Sequence, residues 1–336
     1  MFDECRYIYA GKLRRYHNEP LLKRLIDLKT IYFNTRDLFR LIAGTIQSIF
    51  LFRRLRPSSV LLKGGYVCVP ASIGAKFAKA YIVTHDSDAL PGLSNRFAAR
   101  YASVHATAMP EQYYNYPKKT VKHVGLPVDS RYKRYSADEV RFLKEKFKLP
   151  QKSKVLLVTG GSNGARRLNA WCLKALDQLF AEHPDLYVFM LVGKGNLSQV
   201  KKHGFRDDIN RRLIAEEFTA ELFHLSAISD VIIARAGATT IAEFAAGSKA
   251  VILVPNPDLT GGHQLKNAQV YEDQGSAVVV QETELQQSVA PLIEAVNMLI
   301  NDSQKRGILG ERLNASLPSI PAAKAIADIL VNGAGR

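Results

Sequence analysis

A chain of 336 residues, 47% hydrophobic and 23% charged, is long enough for two domains with separate cores and lacks the polar bias of a disordered protein. Its formal charge of +15 sits entirely in one half: residues 1–150 carry 27 Lys and Arg against 12 Asp and Glu, whereas residues 151–336 carry 19 of each. That asymmetry calls for an anionic partner of the first half. With no zinc-finger spacing, RNP-like aromatic strand or basic-region heptad present, an anionic membrane surface is preferred and nucleic acid is not expected.

In chain order, the opening MFDECRYIYAGK holds no basic n-region leading into an apolar run, so a secretory leader is not expected. Cys5, Cys68 and Cys172 are an odd, scattered set and read as reduced thiols of a cytoplasmic protein. A first strand is predicted at Cys5–Tyr9. Residues 36–54 read as a helix in which Ile42, Ile46, Ile49, Phe50 and Arg53 follow helical spacing, with Arg53 and Arg54 at the basic end. Its longest uncharged run, Leu41–Phe52, is 12 residues, too short to span a bilayer. Such a helix suits the headgroup layer of an anionic membrane; the plainer reading is a crossover helix packed on a core.

Strands follow at Val60–Lys63, Tyr81–Thr84, Val104–Thr107 and Val121–Val124. The second ends in a loop carrying His85, Asp86 and Asp88, acids and a histidine at a strand end, suited to general-base work or simply to capping a turn. Ser136-Ala-Asp-Glu139 has the form of a capping box opening a helix that ends before Pro150. The predicted domains are therefore 1–135 and 136–318, with 319–336 a last helix packing back toward the first domain.

The second half alternates strands (Lys154–Thr159, Leu186–Val192, Arg212–Ala215, Asp230–Ala234, Ala250–Val254, Ala277–Val280) with helical patterns, which predicts one complete doubly wound sheet. Three of its loops could carry chemistry. Gly160-Gly161-Ser162-Asn163-Gly164 lies between strand and helix, where backbone N–H groups can approach a phosphate and the helix terminus adds about half a positive charge; a ligand-free tight turn fits equally. In the loop from Ala234 to Glu243, Gly237 and Ala238 are small at the turn and Thr239 or Thr240 can cap the helix. Glu243 falls one turn in, where a carboxylate can accept from ribose hydroxyls or merely complement the helix dipole. The stretch Pro255–Ala268 puts His263 and Gln264 at a helix start near the strand ends; a capping histidine and a solvent-facing glutamine are the plain alternatives.

Taken together, KGGYVCVPASIGAK, HDSDALPGLSNRFAAR, GGSNGARRLN, ARAGATTIAEFAAGSKAVILVPNP and HQLKNA resemble, in order, segments of the MurG family. The resemblance implies an α/β fold of the GT-B type, two Rossmann-like doubly wound domains facing a cleft. It also implies inverting transfer of N-acetylglucosamine from UDP-GlcNAc to the C4 hydroxyl of the muramyl sugar of undecaprenyl-diphosphate-linked MurNAc-pentapeptide, at the cytoplasmic face of the cell membrane. Gly161, Ser162, Asn163 and Gly164 would face the donor's diphosphate, as would the helix opened by Gly237 and Ala238, and Arg235 and Thr240 beside them would also bind the donor. Phe218 and Thr219 would border the uracil, Glu243 would hold the ribose, and His263 and Gln264 would contact the sugar.

The chain also departs from the family pattern. Asp129 stands where the family has an arginine, and Arg131 is the candidate stand-in for its diphosphate contact. The family's N-terminal GxGGH loop is not found, nor are roughly two βα units around it, on the order of 60 residues, so the first domain is expected to be truncated. No Asp-x-Asp pair is placed to hold a metal, so no metal or cofactor is expected. A transferase with another lipid acceptor, or a non-catalytic UDP-sugar-binding remnant, fits the same loops.

Overall fold

The computed structural model describes residues 4–12, 27–161, 164–204 and 211–335. They form two units, Met1–Leu126 with Ile320–Arg336, and Pro127–Ser319. The division falls before the expected 135/136 join. Residues 127–135 pack on the second unit, where the Tyr132 ring meets Phe223 edge-on at 6.3 Å.

Among the described residues of the first unit, the first helix is α1 (Leu28–Leu55), capped by the Asp27 carboxylate, which accepts from the Lys29 and Thr30 amides. There follow β1 (Ser59–Leu62), α2 (Cys68–Phe77), β2 (Tyr81–Asp86), α3 (Leu93–Ala98), β3 (Val104–Thr107) and β4 (Val121–His123). All four strands are parallel in the order β1-β2-β3-β4. Short apolar runs suit such strands because helices cover both faces. Gly74 lets α2 lie directly on α1: a Cβ there would come within 2.6 Å of the Phe52 ring and 2.8 Å of Ser48. On the other face Ile326, in the terminal helix Ala322–Ala334, packs with Val83, Val104, Ala106 and Val124. That helix belongs to the first unit.

Cys5–Tyr9 is not a strand. Its alternating pattern finds a side chain instead of a ladder: Tyr9 N–H donates to Gln47 Oε1 at 3.0 Å, and Gln47 Nε2 donates to the Tyr7 carbonyl at 2.8 Å. The approach is possible because residue 44 is glycine; a Cβ would overlap the Tyr9 carbonyl at 1.7 Å.

The second unit runs α4 (Ala137–Lys146), β5 (Lys154–Thr159), α5 (Arg166–Glu182), β6 (Leu186–Leu191), α6 (Leu197–His203), β7 (Leu213–Glu216), α7 (Leu222–Ile228), β8 (Val231–Ala234), α8 (Ala238–Ala246), β9 (Val251–Leu253), α9 (His263–Asp273), β10 (Val278–Val279), α10 (Glu282–Leu285), α11 (Ala290–Asn301) and α12 (Ser303–Ala315). The Ser136–Glu139 capping box is present at the start of α4. The six strands are parallel in the order β10-β9-β8-β5-β6-β7. Winding reverses between the neighbouring central strands β5 and β8, and a doubly wound sheet binds its ligands at the carboxyl ends of such a pair. A continuous core of Leu156, Val158, Leu176, Val188, Ile233 and Leu299, among others, holds the sheet against α5 and α11.

Candidate functional site

At this switch point lies a cavity of about 440 Å³ lined by Gly160, Gly161, Gly164, Ala165, Arg166, Arg167, Arg235, Asn256, Leu259 and Gln264. Its glycines are required by the backbone. Gly164 has φ +67°, and a Cβ on it would lie 2.5 Å from the Val192 carbonyl oxygen; a Cβ on Gly160 would collide with Ala165. The helices on either side, α5 and α8, begin at Ala165 and Gly237 caps that supply no side-chain hydrogen bond. Their first-turn amides therefore keep their affinity for an anion. Thr239 and Thr240 do not cap α8 as expected, because the helix already starts at Ala238 and both fall within its first turn. Ser162 and Asn163 lie outside the described residues.

The structure thus brings Gly161, Gly164, Arg235 and Gln264 to one cavity. Gln264 Oε1 accepts from the Asn256 amide at 2.9 Å, and half-buried His263 precedes it on α9. Glu243 sits one turn into α8 and is half-buried; burial raises its carboxyl above the ordinary range, against the hydrogen bond donated by Tyr132. Phe218 and Thr219 lie after β7, at the same sheet edge but outside the cavity lining. Phe218 is exposed, and the Thr219 hydroxyl accepts from the Glu221 amide at 3.1 Å. Arg131 binds the Asp129 carboxylate through Nε and Nη2 at 3.0 and 2.7 Å and stacks on Phe223 at 4.4 Å, outside the cavity lining.

Sequence reading missed Glu282. Its side chain is wholly buried, with Oε1 2.6 Å from Arg235 Nη2 and Oε2 2.8 Å from Arg167 Nη2. These contacts fall off the N–H directions, so charge rather than directed hydrogen bonding holds them. Burial lowers the Arg235 pKa and the Glu282 carboxylate opposes it. QETEL announces only a helix start, and nothing in its spacing links it to Arg167 or Arg235. Tyr132, Arg167, Asn95 and Tyr116 were likewise not foreseen as site residues.

In the first unit the three base candidates have unequal surroundings. His85 is buried, with Nε2 2.9 Å from the Gly125 carbonyl, and burial lowers its pKa, so it is a neutral donor to backbone. Asp86 is 2% exposed; its oxygens accept from Asn95 Nδ2 at 2.8 Å and the Tyr116 hydroxyl at 3.0 Å. Tyr116 in turn stacks on His105 at 4.0 Å. Both candidates are enclosed by their partners, which brace the loop. Asp88 alone of the three is partly exposed.

α1 presents Ile42 (51% exposed), Ile46 (51%) and Phe50 (67%) to solvent, along with Arg53 and Arg54, while Ile49 is half-buried. The opposite face is the packed one, through Ser48, Gly44 and buried Asp37. The crossover-helix reading therefore holds for one face and leaves the other bare. Among the described residues no helix is long and apolar enough to cross a membrane, and no group of three or more His, Cys, Asp or Glu is placed to hold a metal ion.

Residues 155–321 match the glycosyltransferase family 28 C-terminal domain and residues 19–107 its N-terminal domain. With two parallel α/β units, this defines a glycosyltransferase of the GT-B class. The chain is 33% identical over 298 residues to a UDP-N-acetylglucosamine–N-acetylmuramyl-(pentapeptide) pyrophosphoryl-undecaprenol N-acetylglucosamine transferase of Desulforudis audaxviator, covering 87% of this chain and 78% of that one. A protein of Bacillus thuringiensis with the same description, numbered 3, is 32% identical over 327 residues, covering 96% and 83%. The crystal structure of Acinetobacter baumannii MurG superposes with a TM-score of 0.71 at 23% identity, covering 88% of this chain and 79% of that one. Anabaena Alr3699/HepE in complex with UDP shares the fold at a TM-score of 0.60 and 16% identity, covering 86% and 82%. The chain belongs to the MurG family of these transferases.

Proposed function

We propose that this chain transfers N-acetylglucosamine from UDP-GlcNAc to the C4 hydroxyl of the muramyl sugar in an undecaprenyl-diphosphate-linked muramyl-pentapeptide, with inversion. The observation that carries the reading is the cavity at the β5/β8 switch point, lined by Gly160, Gly161, Gly164 and the uncapped start of α5, with Arg235, just before the uncapped α8, also in its wall. That is the geometry a nucleotide diphosphate requires. Gly161, Gly164 and the α5 and α8 amides take the diphosphate, Glu243 the ribose, Phe218 and Thr219 the uracil, and His263 and Gln264 the sugar.

In the reaction the muramyl O4 forms a bond to the GlcNAc anomeric carbon as the bond from that carbon to the phosphate oxygen breaks. UDP leaves with the electron pair, and the O4 proton passes to a base. Of the three candidates Asp88 has the exposure for that role. Asp88→Asn should lower kcat by about 10²–10⁴-fold with little change in UDP affinity; unchanged turnover would remove Asp88 as base.

The charge gathered on the leaving diphosphate is met by backbone amides and helix termini, so transfer is proposed to need no divalent metal. Activity abolished by EDTA and restored by Mg²⁺ would contradict this. The bare apolar face of α1, with its basic end, supports a peripheral seat on an anionic membrane, at the cytoplasmic face where a lipid-diphosphate acceptor would be reached. Nucleic acid is not a proposed partner.

A further inference from the structure

Of the three guanidiniums lining the cavity, Arg166 donates through Nε to Asn196 Oδ1 at 2.8 Å, and Arg167 is left without a task by the reading above. Arg167, the second residue of α5, has Nη2 2.8 Å from Glu282 Oε2 and 2.8 Å from Asn256 Oδ1, and Nη1 2.5 Å from Asp258 Oδ2. Its neighbour Arg235 is turned inward: it is 7% exposed, pairs with the other Glu282 oxygen and donates to the Val254 carbonyl at 2.9 Å. One buried carboxylate therefore serves two guanidiniums, leaving an excess positive charge that emerges at Arg167. Asp258 meets that excess from the solvent side.

We propose that Arg167 is a cationic ligand of the donor's diphosphate, oriented by Glu282, and that Asp258 competes with the diphosphate for it. This rests on the cavity being the donor site. The exposures decide which partner yields. Glu282 has no exposed side-chain area, whereas the Asp258 side chain is 69% exposed and Arg167 43%. Breaking the Glu282 contact would strand a buried charge; an exposed pair contributes little and is easily exchanged. A diphosphate offers more charge than a carboxylate and suits the planar fork of a guanidinium. Arg131, the cation expected to do this, is held bidentately by Asp129 and stacked on Phe223.

The test is calorimetric titration of the full chain with UDP and with uridine, which lacks phosphates. Arg167→Gln should weaken UDP binding by about 10–100-fold and leave uridine binding unchanged, which also shows that the fold is intact. Arg167→Lys, keeping the charge and losing the fork, should fall between. Asp258→Asn should tighten UDP binding severalfold in the wild-type background and do nothing when Arg167 is already Gln. Unchanged UDP affinity in Arg167→Gln, or equal losses for UDP and uridine, would overturn the proposal while the donor reading stood. An Asp258→Asn gain that survives loss of Arg167 would overturn the competition. A wild-type chain that binds neither UDP nor uridine would overturn the donor reading and this proposal with it.

Discussion

Asp86 illustrates what burial does to an acid beside a candidate site. Desolvation pushes its carboxyl above the ordinary range, against the hydrogen bonds from Asn95 and Tyr116. An acid raised in the folded state contributes its full stabilisation only below its unfolded pKa, and that contribution is lost as pH rises through the folded value. Asp86 therefore contributes less to stability at neutral pH than at acid pH. Asp86→Asn, which keeps an oxygen for Asn95, should raise Tm at pH 7–8, with the gain vanishing below about pH 4. Thermal melts across that range check this; a Tm lowered at every pH would show that the carboxylate is needed as an anion. Residues of this kind were only half legible. The HDSD loop advertised acids at a strand end, but its spacing could not reveal that Asn95 and Tyr116 close over Asp86. Glu282 was invisible for the same reason, since its partners lie 115 and 47 positions away in sequence.

At the scale of elements, α1 has two faces with different duties. Gly74 of α2 sits against Phe52 and Ser48 with no space for a Cβ, so Gly74→Val should cost about 1–3 kcal/mol by overpacking, measured by denaturant unfolding. On the bare face, replacing Ile42, Ile46 and Phe50 together by Ser should leave unfolding nearly unchanged. It should cut binding to anionic liposomes by at least about a hundredfold, each apolar side chain being worth about 1.5–3 kcal/mol when buried in lipid. Flotation unaffected by the triple change would remove α1 as the membrane face. The helical spacing of 42, 46 and 50 was readable, but spacing does not say whether an apolar face meets a core or a lipid. Parallel strands were the most legible elements, because Lys154–Thr159 and Val104–Thr107 are short runs enclosed on both sides. Cys5–Tyr9 was misread since alternation alone cannot tell a sheet partner from the side chain of Gln47.

For the whole molecule, the pattern of βα units and the switch-point loops carried the fold class from sequence to structure, and the family matches agree with it. Most of the excess charge follows the same division: residues 1–126 and 320–336 together carry 22 Lys and Arg against 9 Asp and Glu, on the unit that bears α1. The central claim is that the chain moves N-acetylglucosamine onto a lipid-linked muramyl-peptide. Its most direct test is incubation of the full chain with UDP-[¹⁴C]GlcNAc and an undecaprenyl-diphosphate-linked MurNAc-pentapeptide, following label in the lipid fraction and UDP released. The account predicts label on the muramyl C4 oxygen with one UDP released per sugar transferred. UDP-GlcNAc binding with no label in the lipid fraction, under conditions where a known MurG transfers it, would contradict the account.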